Sequence, residues 1–184
     1  SVLLDLLGVR LANRVFEPVW SGTHIESVVI RYDESLGLEG RAGYYDGVGA
    51  MQDMMQSHLL QLLAVVAMEP PATLGERDLR DAIGAALRSV HLWDDDPVTA
   101  SRRARYTAGE AGGKSLPDYV DEDGVDPANN TETLAEATFE VRTMRWQGVP
   151  FTLRSGKALE PEAKEIVMTF RPLRHIPEQF EGEV

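Results

Sequence analysis

Val48-Gly-Ala-Met51-Gln-Asp53-Met-Met-Gln-Ser-His58-Leu-Leu-Gln-Leu-Leu63-Ala-Val-Val-Ala-Met68 is the clearest helical stretch of the chain. Met51, Met54, Met55, Leu59, Leu62, Leu63, Val66 and Ala67 recur at helical spacing and form one broad apolar face. Towards Met68 the run becomes apolar nearly all round, which predicts a buried end. Pro70-Pro71 then stops it.

Outward from that helix the pattern changes. Residues 25–32, Ile-Glu-Ser-Val-Val-Ile-Arg-Tyr, are rich in β-branched residues and predict a strand. The glycine-bearing stretch Asp33 to Tyr45 predicts a loop. Residues 2–17 carry apolar positions at mixed helical spacing and predict a helix ending before Pro18. A second helix is expected over about Glu76 to Val90, and Asp94-Asp95-Asp96-Pro97 is expected to turn. Residues 101–130 are polar and rich in Gly, Asp and Pro, and read as irregular. Thr133 to Trp146 alternates enough for a strand, with a helical start open at Leu134 to Ala137. Residues 148–153 and 165–170 give two more strands around the basic turn Ser155-Gly156-Lys157. Strands and helices do not alternate regularly. The expected class is therefore α+β, with a mainly antiparallel sheet and helices packed on one face.

Composition narrows the function. The chain has 184 residues and is 43% apolar, enough for a sizeable core, which argues against disorder. With 18 Lys and Arg against 30 Asp and Glu, its net charge of −12 opposes nucleic acid and anionic membranes. The absence of cysteine excludes disulfides, thiolate zinc sites and cysteine nucleophiles. No apolar run reaches the roughly 18 residues of a membrane span, and the first ten residues lack a basic signal-peptide start.

Several residues invite chemistry. His58 is of the residue type that suits a general base, although a helix histidine with a satisfied hydrogen bond has the same pattern. Asp53 lies five residues earlier. At about 100° per residue, the two sit roughly 140° apart on an α-helix and do not share one narrow face. Lys157, after Gly156, could hold a phosphate or hydroxyl as a point charge, or be an exposed hairpin lysine. The P-loop spacing is missing. Gly47-Val-Gly49-Ala-Met-Gln52 fails as a dinucleotide fingerprint, because Gln52 stands where the third glycine belongs and no strand directly precedes it. The acidic run from Asp121 to Asp126 fails as a calcium loop, with Asp126 at the sharp-turn position.

Taken in order, six segments resemble the second, non-Rossmann domain of glucose-6-phosphate dehydrogenase. They are Arg10-Leu-Ala-Asn-Arg-Val-Phe-Glu-Pro-Val-Trp20, Glu39-Gly-Arg-Ala-Gly-Tyr-Tyr-Asp46, Asp53-Met-Met-Gln-Ser-His-Leu-Leu-Gln-Leu-Leu63 with Val66-Ala-Met-Glu-Pro70, Thr131-Glu-Thr133, Arg145-Trp-Gln-Gly-Val-Pro-Phe151, and Leu153-Arg-Ser-Gly-Lys157. The resemblance runs from about residue 2 to 170. It implies an oxidoreductase of the pentose phosphate pathway, a cytoplasmic dimer or tetramer pairing through the sheet. Such an enzyme oxidises glucose 6-phosphate at C1 to the lactone and passes a hydride to NADP. It further implies that His58 is the base, that Glu34 and Asp53 accept hydrogen bonds from sugar hydroxyls, and that Lys157 binds substrate. Some relatives carry a basic residue where this chain has Glu162. The family's Rossmann domain, and the segment Asp-His-Tyr-Leu-Gly-Lys that would precede residue 1, are not in this chain. Residues 1–184 are thus expected to be part of the C-terminal, substrate-binding and dimerisation domain, inactive alone, with NADP held mainly elsewhere. The alternative is a stand-alone sugar-phosphate-binding or dimerisation module without redox chemistry.

Overall fold

The computed structural model describes residues 2–173; Ser1 and residues 174–184, the two ends of the expected domain, lie outside the described residues. Helix α1 spans Val2–Leu11 and strand β1 Ile25–Asp33. A short helix, α2 (Ala42–Tyr45), precedes the long helix. The long helix has two parts: π-helical turns over Met51–Leu59, then α3 over Leu60–Ala67. Helix α4 (Glu76–Leu87) and strand β2 (Val90–Leu92) follow. Next come the one-turn helix α5 (Pro97–Ala100), β3 (Ser101–Ala104), β4 (Gly109–Ala111) and β5 (Lys114–Leu116). The last strands are β6 (Leu134–Val141), β7 (Phe151–Gly156) and β8 (Ala163–Phe170).

The main sheet runs β2-β6-β7-β1-β8, and β3 pairs with β6 beside β2. Among the described residues only β1 and β7 run parallel; every other pairing is antiparallel. The expected α+β architecture is therefore what forms. β6 carries both short strands on one edge, β2 against residues 139–141 and β3 against residues 134–137. Ile25, Val28 and Ile30 of β1 and Phe151 and Leu153 of β7 are fully buried, together with Leu59, Leu63 and Val66 of the long helix. A smaller core joins Leu7 of α1, Ala64, Val65 and Met68, and Ala86 of α4. Among the described residues no helix is long and apolar enough to cross a membrane.

The end of α3 explains three motifs at once. A helix leaves its last carbonyls without partners, and inside a core that is costly. Here side chains from distant segments supply the donors. Arg10 donates to the carbonyls of Val65 at 2.9 Å and Val66 at 3.2 Å, and also to Met68. Trp20 Nε1 donates to Val66 and Trp146 Nε1 to Ala67, at 2.9 and 2.8 Å. Arg10 also lies over the Trp20 ring, 5.6 Å from its centroid. Burial draws the Arg10 guanidinium down to about 10, against the pull of nearby Glu17, so it stays charged at neutral pH. Arg145 fastens the outside by bonding Glu69 at 2.8 Å and the Trp20 carbonyl at 2.8 Å.

Three expectations are corrected. The first helix ends at Leu11, not before Pro18: the Ala12 N–H makes the last helical bond, to the Gly8 carbonyl, which also accepts from the Asn13 amide, and a short 3₁₀ turn over Glu17–Val19 follows. Residues 101–130 hold β3 and the β4–β5 hairpin. Gly112 and Gly113, at φ +60° and +71°, provide the tight turn that hairpin needs. Residues 134–137 are strand, with no helical start.

Trp146→Phe keeps most of the packing against Phe151 but leaves the Ala67 carbonyl unpaired. It should cost about 1–3 kcal/mol. Met144→Ala, at a fully exposed position, should cost less than about 0.5 kcal/mol. Urea unfolding of the two variants beside the unaltered protein checks both values.

Candidate active site

Strands β1 and β7 run side by side to Asp33 and Gly156, and the chain beyond them stays stitched together. The Glu34 N–H donates to the Gly156 carbonyl, Ala158 N–H to Leu36 and Leu159 N–H to Glu34, each at 2.9 Å. A Cβ on residue 156 would stand 2.5 Å from Leu159 Cδ1, so this close return favours glycine. The turn thus delivers Lys157 to Glu34, with Nζ 2.9 Å from Oε2. Lys157 is not an exposed hairpin lysine: it is 8% exposed and lies over the Tyr45 ring, 5.2 Å from the centroid. Lys157, Tyr45, Tyr44, Arg41, Leu38 and Asp53 enclose a small cavity of about 50 Å³. Tyr44 donates to Asp53 at 3.3 Å. Burial, with Glu132 and Asp53 adding, raises Tyr45 far above the ordinary phenol range, so the phenol keeps its proton.

His58 stands on the same helix as Asp53 but opens into a neighbouring, larger groove of about 410 Å³. Tyr32, Arg31, Met54, Lys164 and Ile166 contribute to its walls. The backbone between the two residues is π-helical: Leu60 N–H donates to Met55, five residues back, and the Ser57 hydroxyl to Gln52. An i to i+5 ladder widens the turn and brings residues five apart nearly into line along the axis. The roughly 140° offset expected on an α-helix is reduced accordingly. Asp53 and His58 nonetheless line different spaces, one small and shared with Lys157, the other open against β1 and β8.

Thr131-Glu132-Thr133 clasps these elements. The Thr131 hydroxyl donates to the Asp46 carbonyl at the end of α2. Glu132 accepts the Met51 N–H at 2.9 Å at the start of the π-helical turns, and the Ala50 N–H donates to its carbonyl. The Thr133 carbonyl accepts the Lys157 N–H at 2.9 Å. The Asp46 carboxylate accepts from Tyr119 at 2.6 Å, Asn129 at 2.7 Å and the Asp126 N–H at 2.9 Å. Burial alone would raise its pKa. The bonds from Tyr119, Asp126 and Asn129 outweigh burial and hold it below the usual carboxylate range. Sequence reasoning missed Tyr45, Asp46 and Glu132 as parts of the site. Their partners are about 70–110 residues distant in sequence, and no local spacing signals such contacts.

The same clasp decides the Gly47–Gly49 segment. Gly49 sits at φ +70°, and a Cβ there would lie 2.6 Å from Glu132 Oε1. A carboxylate thus occupies the helix start where a dinucleotide's pyrophosphate would have to sit. The residues here do not fit a nicotinamide dinucleotide.

A family model described as the C-terminal domain of glucose-6-phosphate dehydrogenase matches residues 7–182. The chain belongs to that family. It is 44% identical to the glucose-6-phosphate 1-dehydrogenase of Zymomonas mobilis over 172 residues, 93% of this chain and 35% of the relative. It is 42% identical to glucose-6-phosphate 1-dehydrogenase 2 of Mycobacterium tuberculosis, covering 94% and 34%. The crystal structure of the Mycobacterium avium glucose-6-phosphate 1-dehydrogenase superposes with a TM-score of 0.82 at 34% identity, over 95% of this chain and 36% of that one. A glucose-6-phosphate dehydrogenase in complex with its substrate glucose-6-phosphate gives 0.84 at 31% identity, covering 97% and 36%. The chain spans about a third of the length of the relatives it matches.

Asp46 makes a pH prediction. A carboxylate with a lowered folded pKa contributes its full stability above the unfolded value of about 3.9, and loses it as pH falls through the folded value. Asp46→Asn should therefore be clearly less stable than the unaltered protein at pH 7. The difference should shrink as pH falls below about 4. Denaturant midpoints at pH 7, 5, 4 and 3 check the sign.

Proposed function

We propose that the protein containing this chain oxidises glucose 6-phosphate at C1 to 6-phosphogluconolactone, with NADP as hydride acceptor. The observation that supports this is one helix carrying both His58, in an open groove, and Asp53, in a small cavity with Lys157, whose ammonium meets Glu34. His58 takes the proton of the C1 hydroxyl as the C1 hydrogen departs with its electron pair and C1–O becomes C=O. Removing the proton at that moment avoids a full positive charge on the sugar carbon. Glu34 and Asp53 accept hydrogen bonds from sugar hydroxyls and fix the ring. Lys157 donates to the substrate from its position between Glu34 and Tyr45, and burial keeps that geometry narrow. The nicotinamide supplies only the hydride acceptor, and in this reading it is held by parts of the protein other than the glycines of this chain.

Residues 1–184 are, in this proposal, part of the substrate-binding and dimerisation domain of a cytoplasmic enzyme of the pentose phosphate pathway, inactive alone. Exposed Val167 and Phe170 on β8, at the margin of the described sheet, support pairing of subunits through the sheet.

His58→Asn in the complete protein should lower kcat by roughly 100- to 10,000-fold with a smaller change in KM. Steady-state NADP reduction with glucose 6-phosphate measures this, and a near-normal kcat would remove His58 from the mechanism. The purified 184-residue chain should reduce no NADP.

A further inference from the structure

We propose that Glu160 is a positioning residue: it ties the β4–β5 hairpin across the Lys157 turn and the Glu34 loop, and so holds Glu34 and Lys157 at their working separation. The inference rests on the function proposed above and adds no substrate contact to it. Among the described residues, neither Glu160 nor any residue of the hairpin lines the His58 groove or the Lys157–Asp53 cavity. Glu34 and Lys157 are 123 positions apart in sequence, and each stands where the chain has just left a strand. Neither the loop over 34–39 nor the turn over 157–160 has regular structure of its own.

The hairpin grips both segments. Gly112 opens its two-residue turn, where the ladder leaves the N–H without a strand partner. That N–H donates to Glu160 Oε1 at 2.6 Å. The same glycine is seated on the other segment, since a Cβ there would stand 3.3 Å from the Ser35 carbonyl oxygen. Lys114 Nζ reaches both carboxylate oxygens of Glu39, at 3.1 and 2.9 Å. Leu116 closes over Gly37, where a Cβ would lie 3.2 Å from Leu116 Cδ2. Glu39 itself sits at φ +50°, a conformation that costs a non-glycine residue energy and persists only where the surroundings fix it. The bond from Gly112 to the Glu160 carboxylate is charge-assisted and stronger than a neutral one. It is exposed, so it adds little to global stability, but it sets how the two segments lie. Glu34 and Lys157 meet the substrate with separate atoms, and a shift of about 1 Å between them weakens both contacts. His58 stands on a different element, so losing the clamp weakens binding and spares proton transfer.

The test uses the complete protein. Glu160→Ala should raise KM for glucose 6-phosphate about 3- to 10-fold, with kcat within about twofold and an unchanged urea midpoint. Glu160→Gln keeps an acceptor oxygen and should recover most of the loss. Gly112→Ala should raise KM as well, because its Cβ meets the Ser35 carbonyl. Gly113→Ala, at φ +71° with open space around it, carries the same kind of backbone strain without that contact and should leave KM unchanged. Without substrate, hydrogen–deuterium exchange of the segment holding Ala158 and Leu159 should speed at least about threefold in Glu160→Ala. An unchanged KM, unchanged exchange, equal effects of Gly112→Ala and Gly113→Ala, or kcat falling as far as KM rises overturns the role of Glu160 and leaves the proposed reaction intact. An unaltered complete protein that does not oxidise glucose 6-phosphate overturns both.

Discussion

The last carbonyls of the long helix have no partners of their own, and the rest of the structure is arranged around supplying them. Val65, Val66, Ala67 and Met68 end α3 in the middle of the molecule, where water cannot solvate them. Arg10, Trp20 and Trp146 reach in from three separate segments to donate to them. Two of these donors come with large apolar rings, so the same residues satisfy the helix end and fill the core. Trp146 packs edge-on against Phe151 at 5.2 Å, which ties the helix to the start of β7. β7 in turn carries Gly156 to the point where Lys157 meets Glu34. The position of the candidate site thus follows from how one helix terminus is satisfied.

The opposite end of that helix is fixed by a carboxylate. Glu132 bonds Met51 N–H, and its neighbours Thr131 and Thr133 bond α2 and the Lys157 turn. Three consecutive residues therefore hold together the elements that present Tyr45, Asp53 and Lys157. Between the two fixed ends the helix takes π-helical turns, a geometry found often at functional positions. There Asp53 and His58 line two different spaces. Glu132 has a second consequence. By filling the helix start beside Gly49, it leaves that glycine pair a tight turn rather than a phosphate cradle.

Much of this was legible in the sequence, and the limits have physical reasons. β1, β7, β8 and the buried end of the long helix follow from β-branched runs and from apolar periodicity, which depend on neighbours close in the chain. β3, β4 and β5 escaped because each is only three or four residues long and polar, and because β3 forms only where β6 has a free edge. The end of α1 at Leu11 carries no such signal, since the residues that follow keep apolar positions at mixed helical spacing. His58, Asp53, Glu34 and Lys157 stood out as residue types, while the angle expected between Asp53 and His58 assumed an α-helix and the structure has π-helical turns there. Asp46 and Glu132 were invisible as site residues because their roles rest on partners brought together only by the fold.

The central claim is that His58 and the Lys157–Glu34–Asp53 array face a single bound sugar phosphate. A crystal structure of the complete protein with glucose 6-phosphate tests it most directly. The account predicts the C1 hydroxyl within hydrogen-bond reach of His58, and ring hydroxyls on Glu34 and Asp53. A sugar phosphate bound outside the groove, or with C1 turned away from His58, would contradict it.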